Sequence, residues 1–192
     1  MGNRLLVALL AALLVAAASA CGGGGGGSSQ GVDFYNAYRT ADDQRDQAES
    51  RLRQAFADIG AAAGKEDRAG VVAAAMRGQK AASEIDDLLA AELEAAHGLA
   101  GIDELDAEGR RLAAGLEQTR DSLALVVQEL EIALEDPLLA RKADEVKDLA
   151  KRSTDLAVKG ELAVRRADRA LALALGLEPR FDQLQTTTGA GG

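Results

Sequence analysis

Four long stretches in which apolar residues recur every three or four positions constrain this chain more than any other feature. In the first, Phe34, Tyr38, Ala41, Ala48, Leu52, Ala55 and Ile59 share one seam, interrupted by Arg45. The second, from about Asp67 to His97, aligns Val72, Ala75, Met76, Ala82, Ile85, Leu88, Leu89, Leu93 and Ala96. The third, from Asp103 to about Glu135, repeats Leu105, Leu112, Leu116, Leu123, Val126, Leu130 and Ala133. The fourth carries Val146, Leu149, Ser153, Leu156, Gly160, Ala163, Ala167, Ala170 and Ala174. This is the period of helices that bury one stripe, close to the coiled-coil heptad, and not the period of strands.

Composition agrees: alanine supplies 41 of 192 residues, proline only 2, and aromatics 3%. Asp33 is a candidate N-cap for the first helix, and Gly60 and Gly64 mark its end. Gly70 and Gly78 leave open whether the second helix is continuous. Asp136-Pro137 reads as a cap followed by a first-turn proline opening the fourth helix, which Gly176 ends. Short connections between helices force antiparallel neighbours, so the expected fold is all-α, an antiparallel up-down-up-down four-helix bundle with coiled-coil-like packing over residues 32–178. Residues 179–192 read as a C-terminal tail. The same heptads would also allow pairing between chains, so a homo-oligomer stays open.

The chain holds 22 basic and 31 acidic residues, net −9, which argues against nucleic acid or an anionic membrane face as the main partner. The stretch Ile102–Asp136 has 3 basic and 10 acidic residues, whereas Pro137–Glu178 has 9 and 7, a contrast that suits ion pairing between neighbouring helices. One cysteine and one histidine rule out a disulfide framework and a Cys/His zinc site.

Three constellations suggest chemistry. Glu94-Ala-Ala-His97 is the Glu-x-x-His step of di-iron bundles, but its second half is missing; metal is therefore not expected, with Glu94 and His97 as the only candidates. Asp42, Asp46 and Glu49, with Arg53 beyond, share one face of the first helix and read as a solvated row, as do Glu131 and Glu135 on the third. Met76 reads as core packing. Up-down topology would gather Phe34, Tyr35, Tyr38, His97, Ile102, Leu177 and Phe181 at one end, a hydrophobic plug or an apolar contact site in which Phe34, Tyr35, Tyr38 and Phe181 would meet a partner.

The N-terminus tells of destination. After Arg4, an unbroken apolar run of 14 residues spans Leu5–Ala18, short for a permanent span, and residues 1–20 read as a secretory signal. The run closes in Ala18-Ser19-Ala20-Cys21. This junction resembles that of bacterial lipoprotein signal peptides, with Ala18 where leucine is more common; ordinary signal peptidase would cut the same bond. The resemblance covers the leader alone. It implies cleavage before Cys21, covalent diacylglycerol and N-acyl (palmitate-type) groups on that residue, and export to the bacterial cell membrane or outer membrane, Gly22 favouring the outer one. Residues 21–31, Cys21 followed by six glycines and Ser28-Ser29-Gln30-Gly31, read as the lipidated cysteine and a flexible tether of roughly 15–20 Å r.m.s. span.

Together these features describe a membrane-anchored envelope lipoprotein acting as a non-enzymatic interaction or scaffolding bundle with an envelope protein partner and no resident cofactor. A bundle binding a small ligand or metal is the alternative, and an envelope enzyme or enzyme inhibitor the second.

Overall fold

The computed structural model describes residues 26–138 and 142–179. Among the described residues the chain is all-helical, with no strand: α1 (Gly26–Ala63), α2 (Arg68–Ala100), α3 (Asp106–Glu135) and α4 (Ala143–Ala174). At 1.5 Å rise per residue these are rods of about 45–57 Å. None of the described helices is long and apolar enough to cross a membrane.

Boundaries follow the capping groups. Asp67 accepts a hydrogen bond from the Gly70 amide at 2.9 Å and opens α2. That helix then runs unbroken through Gly70 and Gly78, because Gly78 supplies a close approach: a Cβ there would lie 2.7 Å from Leu130 and 3.4 Å from Ala55. Packing against two neighbours outweighs the roughly 1 kcal/mol helix penalty of glycine. In the α1–α2 turn the left-handed residue is Glu66, φ 56°, and neither Gly60 nor Gly64; Gly60 lies inside α1. After α4, Gly176 adopts φ 69° and the Leu177 amide returns to Ala172 O, a glycine-type helix stop.

Two boundaries differ from expectation. Helix α1 starts at Gly26, well before Asp33, so the second half of the expected tether is helical. The reason lies in packing: Gly31 is buried against Leu105, Leu175 and Ile102, contacts that reward helix where composition alone favours coil. Asp136-Pro137 does not open α4. The Asp136 amide still bonds Ile132 O and closes α3, Pro137 lies in the turn, and α4 begins at Ala143.

Consecutive helices pack on one another. Partner numbers fall on one helix as they rise on the next: Arg45 with Glu92, Arg51 with Glu84 and Asp58 with Arg77 between α1 and α2, then Asp86 with Arg120 between α2 and α3. Helices α3 and α4 meet at Gly115 and Gly160, where a Cβ on Gly160 would stand 2.9 Å from Gly115 O. The main core runs through Tyr35, Leu52, Ile85, Leu89, Leu99, Leu112, Leu116, Leu130 and Leu171, and a small separate cluster, Leu125, Ile132 and Leu149, joins the far parts of α3 and α4. The α2 stripe is rotated from the expected one towards Val71, Ala74 and Gly78, which leaves Met76 61% exposed and outside the core. On α4 the buried stripe shifts likewise to Val164, Ala167, Asp168 and Leu171.

Candidate functional site

Arg45, the residue that interrupts the apolar seam of α1, is the centre of a buried ionic cluster. Its Nε donates to Glu92 Oε1 at 2.7 Å, its Nη2 to Asp42 Oδ1 at 2.5 Å, and its Nη1 to Glu49. Helical spacing places Asp42, Arg45 and Glu49 on one face of α1. Glu92 reaches them from α2, where it falls on the core stripe beside Leu89, Leu93 and Ala96, and it is 0% exposed. The acidic row of α1 is thus no solvated face: Asp42 is buried and Glu49 half-buried, while Asp46 stays exposed.

Towards the start of α1 the cluster continues into two tyrosines. The Tyr35 hydroxyl donates to Asp168 Oδ1 of α4 at 2.8 Å, the Tyr35 and Tyr38 rings tilt at 44° with centroids 6.0 Å apart, and the Arg39 guanidinium lies 5.8 Å from the centre of the Tyr35 ring. Glu92 Oε2 and Asp168 Oδ2 are buried with no hydrogen-bond partner among the described residues.

Burial governs the electrostatics. It lifts Glu92 to about 7, against the pull of Arg45, and lifts Asp168 despite the Tyr35 hydroxyl. Tyr38 is pushed well above the phenolic range by burial and then by Asp42, Asp168 and Glu92. For Arg45, burial opposes the charge, but Glu92, Glu49 and Asp42 outweigh it and keep the guanidinium firmly protonated. Outside the cluster, the buried carboxylate Glu129 is likewise raised by burial, against the hydrogen bond from Ser153.

A cleft of about 350 Å³ opens onto this cluster between α1 and α4, which the Tyr35–Asp168 bond joins near the start of α1. Tyr38, Asp42, Arg45, Asp46, Glu49 and Arg53 line it from α1, Thr119 from α3, and Ala157, Glu161, Val164 and Arg165 from α4, so its acids face three arginines. A wider groove of about 460 Å³ between α2 and α3, along Ala82, Leu123 and Val127, carries the Asp86–Arg120 pair at its edge.

The structure brings together only part of the expected aromatic end. Phe34 lies against Gly98, and Ile102, Leu175 and Leu177 pack onto the core nearby. Tyr35 and Tyr38, however, are 0% and 1% exposed and belong to the interior, so they offer no contact surface; the Tyr35 hydroxyl bonds Asp168 and its ring lies under the Arg39 guanidinium. Glu94 and His97 are exposed on the last turns of α2, and no group of three His, Cys, Asp or Glu side chains among the described residues is placed to hold a metal. Cys21 and Phe181 lie outside the described residues. Reading by helix seams missed Glu92 and Asp168. For Glu92 a signal was present, since it stands three or four residues from Leu88, Leu89 and Ala96 and a buried charge such as Arg45 demands a partner from a facing helix, whereas Asp168 lies off the seam read for the fourth helix and joins the core through the shifted stripe Val164, Asp168 and Leu171.

No known protein family, curated protein or solved structure matches this chain.

Proposed function

We propose that the chain is an exported lipoprotein, cleaved before Cys21 and anchored by diacylglycerol and an N-acyl chain, whose body is an antiparallel up-down-up-down bundle serving as a non-enzymatic interaction module at the cell envelope. The junction Ala18-Ser19-Ala20-Cys21, which closes an unbroken apolar run, is the observation that supports this most. Long helix faces carrying Arg51, Glu84, Arg77 and Asp58 are suited to a helical or domain partner.

Growth of a bacterial host with an alkyne-tagged fatty acid tests the anchor. The protein takes up label and sediments with membranes, and Cys21→Ala abolishes both; unlabelled protein in the membrane fraction overturns the proposal. Crosslinking in those cells, compared with the unanchored variant, reports the partner. A second reading, binding of a small ligand, is favoured by the α1–α4 cleft and its buried carboxylates.

A further inference from the structure

We propose that copies of this chain associate head to tail, the outer face of α4 on one copy seated in the groove between α2 and α3 of the next. This rests on the interaction-module reading and deepens it by naming the partner as a second copy. It is separable from the lipid anchor, because fatty-acid labelling does not report self-association.

Helix α4 carries two stripes. One, through Leu149, Gly160, Ala167 and Leu171, is buried in the body. The other lies on the opposite side: Lys151, Val158, Leu162, Arg166, Arg169 and Leu173 recur at steps of three, four or seven residues and so share a face, with Asp155 as the acid among them. Of the large hydrophobics exposed among the described residues, all but Met76 fall here, Val158 at 51%, Leu162 at 43% and Leu173 at 59%. Arg152 and Arg165 are engaged by Asp148 and Glu161 of their own helix, whereas Lys151, Arg166 and Arg169 make no ion pair among the described residues. An aliphatic ridge flanked by uncommitted bases is the pattern of a helix face made for a partner.

The α2–α3 groove is its complement. Its floor is Ala82, Leu123, Ala124 and Val127, and its volume of about 460 Å³ admits side chains such as Val158 and Leu162. Of its charged lining, Asp86 and Arg120 neutralise one another at 2.7 Å, which leaves Asp121 exposed and without an ion pair among the described residues. Glu117, one turn before Asp121, and Glu131, two turns beyond the groove-lining Ala124, are likewise exposed and unpaired. From Asp121 to Asp136 the chain holds no lysine or arginine. Apolar ridge thus meets apolar groove, and free bases meet free acids, which gives the contact its register. An anionic lipid surface would match the ridge and leave the groove without an occupant, whereas a second copy accounts for both. Ridge and groove are different surfaces, so the contact is heterologous, and each pair keeps one free ridge and one free groove from which the assembly grows.

The test is sedimentation velocity of the full chain in a mild detergent over a wide concentration range. The wild type forms dimers and then longer oligomers as its concentration rises. Leu162→Glu breaks the ridge and Ala124→Arg blocks the groove, and each weakens association at least about tenfold. Both positions are exposed, so the fold is retained, with thermal melting as the check. Arg166→Glu, a change on the charged flank alone, weakens association in the same direction and most at low salt. An equal mixture of Leu162→Glu and Ala124→Arg restores dimers that grow no further, because each variant keeps the half that the other lacks. A wild type that stays monomeric, association undiminished in folded Leu162→Glu, or a mixture that gives no dimers overturns the proposal. So does a monomer that binds phosphatidylglycerol vesicles through Leu162, since the ridge then belongs to a lipid surface.

Discussion

Arg45 and Glu92 illustrate how a buried pair behaves when burial outweighs the ion pair. The guanidinium serves three carboxylates at once, so Glu92 receives a share of its charge that does not offset complete desolvation. Its folded-state pKa of about 7 lies above the ordinary 4.5. The folded state therefore holds the Glu92 proton more tightly than the unfolded chain, and stability is greatest below the unfolded value and is lost as pH rises through about 7. The effect is on the order of 3 kcal/mol across that window. Asp168 and Glu129, both raised by burial, act in the same direction, whereas Asp58, lowered by Gln54 and Arg77, acts in the opposite direction under more acid conditions. Urea unfolding between about pH 5 and about pH 8 should show the wild type losing stability, and Glu92→Gln should flatten most of that slope. A wild-type profile that rises across the same range would contradict the burial account.

At the scale of the helix, glycine takes two opposite roles that sequence pattern alone does not separate. Gly60 is exposed, and a Cβ there would meet nothing within 4 Å, whereas Gly160 would press a Cβ to 2.7 Å from Thr119 Oγ1 and 2.9 Å from Gly115 O. Gly60→Ala should stabilise by about 0.5–1 kcal/mol through helix propensity. Gly160→Ala should destabilise by roughly 1–3 kcal/mol, because α3 and α4 must separate to admit the methyl group. Thermal melting of the two variants distinguishes the roles by sign. The same contrast explains the helix boundaries. Periodicity placed α2 and α3 to within a few residues, since their stripes are long and regular. It misplaced the start of α1, because Gly26–Gly31 is helical through the packing of Gly31 on Ile102, Leu105 and Leu175, not through its own preference. It also misplaced α4, whose Asp136-Pro137 signal is taken up by the end of α3.

Across the whole molecule, cohesion is uneven. Helices α1 and α2 share the main core over most of their length, and the Tyr35–Asp168 bond ties the start of α1 to the last part of α4. The first part of α4 is held by the small Leu125, Ile132 and Leu149 cluster and by half-buried Val146 and Leu156. Amide exchange should therefore be faster in Ala143–Lys151 than in the Ala81–Leu93 segment of α2, by about tenfold or more. Equal protection in the two segments would mean that the small cluster is as strong as the main core.

Helical class, the four helices among the described residues and the apolar stripes of α1 and α3 were determined by the sequence alone, because a 3.6-residue period and an alanine-rich, proline-poor composition are local properties. The ionic cluster was only half legible. Arg45 announced itself as a charge on an apolar seam, but its partners come from residues 42, 49 and 92, and Asp168 joins from the far end of the chain. Which carboxylates face solvent and which face each other depends on the rotation of each helix about its axis, a few tens of degrees that local periodicity does not resolve. That rotation turned Met76 outward, brought Tyr35 inward beside the seam residue Tyr38, and left the α1–α4 cleft next to Tyr38. Only packing among all four helices decides it, because the burial free energy belongs to the stripes jointly and to none of them singly.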